Sequence, residues 1–347
     1  MLLENYTGSL EPRILQVLFG LGLGLLFGIV AQISRFCLRR AVSADSQDRG
    51  QAGAVWLTAF ATALIGFQSA KVVGLIDLGD HRFLSTDLPV AAIVLGGLAF
   101  GVGMILTRGC VSRLTVLGAS GNLRALSVLV IFAIVAHAML KGVMSPLRTS
   151  LGKLTVELPV ASLSELPLLA SIAIGAAILA AISMVRKYRP GWTSVVMGGI
   201  VGLVAVLGWV GTSTLLLDEF DPLPIQSAAF TLPWSDTLFW VIASTAVPAG
   251  FGTGLIGGVL LGSFGSALIR GELALSSFET PAQFGRYAAG GLLMGIGGVL
   301  AGGCTVGAGL SGAGSLSIAA FLALASIATG GYIASRIAST SPSAVPA

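Results

Sequence analysis

Charge is scarce in this chain. Lys, Arg, Asp and Glu make up 10% of its 347 residues, against about 25% in ordinary soluble domains. Apolar side chains make up 55%, at a mean hydropathy of +0.94. One water-soluble core cannot enclose that much apolar surface, because cores stop growing near about 250–300 residues. Lipid is the solvent that suits it. The 19 basic and 15 acidic residues leave a net charge of +4 spread over many loops, with no basic patch for nucleic acid. Histidine occurs twice and cysteine three times. An odd cysteine count without C-x-x-C or a Cys/His pair at zinc-ligand spacing excludes a disulfide framework and a structural zinc site. No G-x-x-x-x-G-K-[ST] loop is present, which argues against ATP-driven pumping by this chain. No cofactor is expected. The start, MLLENYTGSLEPR, lacks a basic n-region, so the first apolar stretch reads as retained and not as a cleaved signal peptide.

What the chain does have is long apolar runs and 48 glycines. A helix needs about 20 apolar residues to cross the hydrocarbon layer. Candidate spans lie at 14–33, 53–76, 88–106, 124–144, 166–185, 191–217, 237–261, 284–301 and 315–334. The pieces 262–277 and 302–314 are too short or too glycine-rich and are expected as re-entrant or half-length helices, tolerated at membrane depth only where protein or a cavity shields them. The expected fold is an all-α integral membrane protein: one domain, 1–347, of about nine transmembrane helices plus half-penetrating helices. The basic cluster Arg186-Lys187-Tyr188-Arg189 marks the cytoplasmic side. An odd number of spans puts the termini on opposite sides. The tail from Ser339 is expected to be disordered.

The sequence also repeats itself. Gly96–Cys110 (GGLAFGVGMILTRGC) and Gly290–Cys304 (GGLLMGIGGVLAGGC) agree at eight of fifteen positions without a gap. A fainter match pairs Gly24–Arg40 with Gly254–Arg270, where Cys37 falls on Ala267. The chain thus reads as two homologous halves, about 10–150 and 235–335, joined by spans in about 160–220. Each half carries two broken-helix elements, and three of the four end in cysteine.

Interrupted helices at matching places in two halves point to a transport site. A broken helix exposes N–H groups and its positive dipole end, which an anion needs when it leaves water. Thiols are soft, weak donors and, with an ordinary pKa of about 8.5, mostly neutral at pH 7. They suit a sulfur-terminated anion better than a hard oxyanion. The candidate path residues are Cys37, Cys110 and Cys304, with Gly109 and Gly303 bending the backbone, Arg108 and Arg113 supplying charge, and Thr305 a hydroxyl. Arg108 and Arg113 read equally as interfacial anchors, and Thr305 and Ser311 equally as groups bonding back to their helix. Arg35, Arg39 and Arg40 read as interfacial charges, His137 as a packing residue and Lys141 as a helix-end anchor. Glu272 and Glu279 read as loop residues without a pairing partner.

At SRFCLRRA (34–41), GVGMILTRGCVSRL (101–114) and GGVLAGGCTVGAGLSG (297–312) the chain resembles the YeeE/YedE family of bacterial sulfur-transport membrane proteins. The resemblance implies thiosulfate uptake across the inner membrane through an hourglass-like protein of half-penetrating helices. It also implies that the cysteines, here Cys37, Cys110 and Cys304, act as relay points through S–H···S contacts. Family members handling selenium compounds or other sulfur species share these motifs. A separate TusA-like sulfurtransferase is an implied partner, beside lipid. Two other readings compete with transport: a membrane sulfurtransferase that forms a cysteine persulfide, and a small-anion channel. Transport without covalent chemistry, and so no enzyme, is the leading expectation.

Overall fold

The computed structural model of the protein describes residues 11–79, 81–216 and 224–340. The helices run α1 Pro12–Ser34, α2 Leu38–Val42, α3 Arg49–Val72, α4 Val90–Leu106, α5 Val111–Ala119, α6 Leu123–Lys141 and α7 Ser145–Gly152, followed by α8 Pro167–Tyr188, α9 Trp192–Val210, α10 Thr231–Ile242, α11 Phe251–Ile269, α12 Pro281–Leu300 and α13 Ile318–Thr340. Two-residue strands, β1 Asp87–Leu88 and β2 Val156–Glu157, pair antiparallel in a loop. Among the described residues eight helical stretches are long and apolar enough to cross a membrane. The protein is an all-α multi-pass membrane protein. α8 is the most lipid-exposed span: only 11% of its apolar window is buried, and Leu168 and Leu179 lie bare on its surface.

Local chemistry sets the helix starts. Pro12, Pro167 and Pro281 occupy first-turn positions, where a missing N–H costs nothing. Asn122 and Thr280 cap α6 and α12 by accepting from Ala125 N and Gln283 N. Between helices the glycines do the work, because lipid offers no hydrophobic reward for association and close backbone approach must supply it. Gly20, Gly24 and Gly28 lie against Phe251, Leu255 and Val259 in rising register, so α1 and α11 run parallel. Gly96 meets Gly297 and Ala301 while Gly103 meets Gly290, so α4 and α12 run antiparallel. Gly97 and Gly101 meet Ala323 and Ile327, which sets α13 parallel to α4. Gly291 and Gly295 meet Val128 and Val135, which sets α12 parallel to α6.

These directions correct several expectations. The span predicted at 237–261 does not exist: α10 stops at Ile242, and residues 243–250 separate it from α11. Of the predicted half-helix 262–277, residues 262–269 are the second part of α11, continuous through Ala267, and 270–277 are turn and loop. Only three of the four predicted breaks occur, because Gly254–Arg270 lacks the residue geometry that interrupts its counterpart. The glycine-rich run does break, into a turn and a π-helical segment Gly307–Gly312. Glu272 and Glu279 are not unpaired: Glu272 takes Gln32 and Arg270, and Glu279 takes Arg124. Ser339 is still helical, and the rest of the tail, from 341, lies outside the described residues.

Candidate functional site

Each of the three breaks is built the same way. Arg35 (φ 52), Arg108 (φ 58) and Gly302 (φ 73) adopt the left-handed conformation two residues before Cys37, Cys110 and Cys304. The helix ends are closed by bonds such as Phe36 N to Ala31 O and Gly109 N to Met104 O, the pairing that ends helices when a left-handed residue follows. Cys37 and Cys110 are then extended and act as the N-caps of α2 and α5. Non-glycine residues reach the left-handed region at a cost of roughly 1–2 kcal/mol. Two of the three breaks therefore hold their arginines in a strained place.

The breaks converge. All three cysteines are free thiols and fully buried, inside a single cluster with Phe27, Phe36, Phe100 and Phe230. Cys37 Sγ lies 3.9 Å from Cys110 Sγ. Cys110 Sγ also lies 3.3 Å from Ser112 Oγ, and Thr305, next to Cys304 in the third break, is buried. Cys304 Sγ accepts from Gly307 N at 3.4 Å, and Cys304 O from Ala308 N at 2.8 Å. Gly109 and Gly303 are buried within the turns. No thiol faces the acyl chains.

Donors surround this contact. The first helical bond of α5 is Leu114 N to Cys110 O at 2.9 Å, so the amides of residues 111–113 precede any helical acceptor. Arg113 Nη1 is buried without a hydrogen-bond partner among the described residues, within electrostatic reach of Cys37 and Cys110. Arg108 is half-buried at the break itself. Arg39 and Arg40, read from sequence as interfacial, form ion pairs with Asp45 and Asp48 in the loop after α2. Ser311 donates to Ala228 O at 2.6 Å and receives Ser227 Oγ at 3.0 Å, so it is spent on packing.

Both histidines are committed elsewhere. His137 Nδ1 meets Ser235 Oγ at 3.0 Å and stacks on Phe239 at 3.5 Å, as a packing residue does. His81 accepts from Phe83 N and packs edge-on against Trp209. Burial, with Arg82 beside it, holds His81 down to a pKa of about 4. In the loop after α11, Glu272 titrates below the ordinary carboxylate range because Arg270 and Gln32 hydrogen-bond to it.

The motif cysteines, their left-handed preludes and their single buried cluster can be set beside known proteins. The sulphur transport family matches residues 33–333. The chain belongs to that family. The thiosulfate transporter TsuA of Spirochaeta thermophila is 27% identical over 321 residues, covering 88% of this chain and 93% of the relative. The Escherichia coli thiosulfate transporter TsuA is 25% identical over 329 residues, covering 85% of this chain and 86% of the relative. Membership bears out the resemblance carried by the cysteine motifs and makes the protein a transporter, not an enzyme.

Sequence reasoning named the cysteines, Arg113 and Thr305. It missed Ser112 and Trp234, whose Nε1 donates to Thr115 Oγ1 at 2.8 Å. The one available signal for Ser112 was its place in the first turn after Cys110.

Proposed function

We propose that the protein takes up thiosulfate, or a closely related sulfur-terminated anion, across the bacterial inner membrane. The anion passes Cys37, Cys110 and Cys304 as neutral thiol contacts. The observation that carries this reading is the 3.9 Å Cys37–Cys110 approach in an apolar cluster that also holds Cys304. An anion entering such a place loses hydration worth on the order of 20 kcal/mol in the idealised limit and several after relaxation. The free amides of α5, the unpartnered Arg113 Nη1 and the thiols replace it in part. Gly109 and Gly303 permit the bends, Arg108 holds the second break, and Thr305 adds a hydroxyl at the third. The names of the two relatives favour thiosulfate as the cargo. Both relatives are named as transporters, which favours passage over persulfide chemistry.

Orientation follows the distribution of charge. Arg35, Arg39, Arg40 and Arg49 gather at the end where Gly50 meets Tyr188 and Arg49 lies over Tyr332, beside Arg186-Lys187-Arg189. The opposite end mixes Arg82, Arg148 and Lys153 with Asp77, Asp87, Glu157 and Glu165. The positive-inside rule makes the Cys37 end cytoplasmic. A separate TusA-like sulfurtransferase, if it collects the product, docks there. The antiparallel α4/α12 pair, the two copies of the gap-free motif, supports an inverted duplication of that segment in the halves of about 10–150 and 235–335; the parallel α1/α11 pair does not follow it.

The test is growth on thiosulfate as sole sulfur source in a strain without other uptake routes. Cys110→Ala and Cys304→Ala are expected to abolish growth at normal membrane abundance. Full growth with either variant would end the relay reading.

A further inference from the structure

α8 and α9 are consecutive in the chain, joined only by Arg189-Pro190-Gly191, a link short enough to pair them as an antiparallel hairpin. They do not pair. Each packs on α3 and scarcely on the other. A groove of about 320 Å³ runs along this gap, lined by Thr58, Thr62 and Ile65 of α3, Ile178, Ile182 and Arg186 of α8, and Val195 of α9. From this geometry we propose that the groove holds one acyl chain of an anionic phospholipid of the cytoplasmic leaflet, with Arg186 taking its phosphate. The inference does not depend on what the protein carries.

The groove has the shape and the chemistry of a lipid chain. Ile178 and Arg186 stand about 12 Å apart along α8 at roughly 1.5 Å per residue, close to the half-thickness of a hydrocarbon layer of about 30 Å. Its threonines do not make it polar: Thr58 Oγ1 donates to Ala54 O and Thr62 Oγ1 to Thr58 O, each at 2.8 Å. Arg186 is the one charge in the lining. Its side chain is exposed and forms no ion pair among the described residues. A guanidinium matches phosphate with two parallel hydrogen bonds, and basic pockets between membrane helices on the cytoplasmic side take acidic head groups. Lys187 and Arg189 add to the field, and Trp192, 77% exposed, stands where aromatic residues meet head groups. The fold also leaves α8 in need of a neighbour. Only 11% of its apolar window is buried, and it rests chiefly on α3 and on the turn Leu163–Glu165. A chain in the groove ties α8 to α9 and restores the contacts that an unfilled gap forfeits.

The experiment uses the full chain, purified and delipidated in detergent, with added phosphatidylglycerol, phosphatidylcholine or inorganic phosphate. Native mass spectrometry counts bound lipid, and thermal unfolding gives the midpoint. Wild type is expected to keep one phosphatidylglycerol at a concentration that leaves phosphatidylcholine unbound. Its midpoint should rise by about 3 °C or more with that lipid, since a ligand of the folded state stabilises it. Inorganic phosphate should do nothing. Arg186→Gln should erase the preference for phosphatidylglycerol. Ile65→Trp fills the groove from an exposed wall and should bind neither lipid, at a wild-type midpoint in detergent alone. Lys187→Gln should match wild type. Equal binding of both lipids by wild type, a preference that survives Arg186→Gln, or equal losses from Arg186→Gln and Lys187→Gln overturns the proposal. So does one phosphatidylglycerol retained by Ile65→Trp, or a midpoint gain from inorganic phosphate equal to that from the lipid.

Discussion

Gly297→Ala should damage the protein where Gly285→Ala, on the same helix, should not. A Cβ at Gly297 would lie 2.5 Å from both Gly96 O and Phe100 N. Both are backbone atoms of α4, so no side chain can swing aside. Relieving the clash means moving α4 and α12 apart by about 1 Å, since ordinary carbon contacts begin near 3.5 Å. These two helices end at the Cys110 and Cys304 breaks, so the shift is transmitted to the thiol cluster. Overpacking of this kind costs roughly 1–3 kcal/mol. At Gly285 a Cβ meets nothing within 4 Å, and a helical alanine gains up to about 1 kcal/mol over glycine. The signs are therefore opposite. Thermal unfolding of both purified variants in one detergent, with thiosulfate uptake in vesicles, reads the comparison. The expectation is a lowered midpoint and strongly reduced uptake for Gly297→Ala, with a midpoint at or above wild type and normal uptake for Gly285→Ala. Equal midpoints and equal uptake would refute the close-packed crossing as the frame of the site.

Three further outcomes follow from the same geometry. Arg113→Gln removes a charge within electrostatic reach of both Cys37 and Cys110 and is expected to slow uptake at unchanged abundance and midpoint; wild-type rates would remove Arg113 from the path. His81 sits at a pKa of about 4 in the fold against about 6.5 when free, so the fold favours its neutral form. Its contribution is present above pH 6.5 and is lost as pH falls toward 4, by at most about 3 kcal/mol and less for a half-buried ring. The thermal midpoint of wild type should fall across that window more steeply than that of His81→Gln, and parallel curves would contradict it. Asn122→Ala deletes the cap of α6 and should cost about 1 kcal/mol, read as a lowered midpoint against Ser127→Ala, whose hydroxyl bonds only within its own helix.

Much of this architecture was legible in the sequence, for identifiable reasons. Spans such as α1, α6 and α13 announce themselves because lipid demands long apolar runs. The breaks at Cys110 and Cys304 were visible because one gap-free motif occurs twice. The region from 231 to 269 was misread because Ala243–Gly250 holds no charge to interrupt the apolar run, and Pro248 within it was passed over as a breaker. Composition cannot say where backbone bonds stop. The fourth break failed for a similar reason: Gly254, Gly258 and Gly262 look like bending glycines, yet in the fold they are contact points for α1 and leave α11 continuous. Partners for Glu272 and Glu279 were missed because Gln32 and Arg124 lie far away in sequence.

The central claim is that buried neutral thiols select a soft sulfur end over a hard oxyanion. Initial uptake of radiolabelled thiosulfate and sulfate, measured side by side in vesicles holding wild type, Cys110→Ala or Cys304→Ala, tests it most directly. The account predicts thiosulfate uptake far above sulfate in the wild type and loss of thiosulfate uptake in both variants, with folding intact. Equal passage of the two anions in the wild type, or undiminished thiosulfate uptake in the variants, would contradict it.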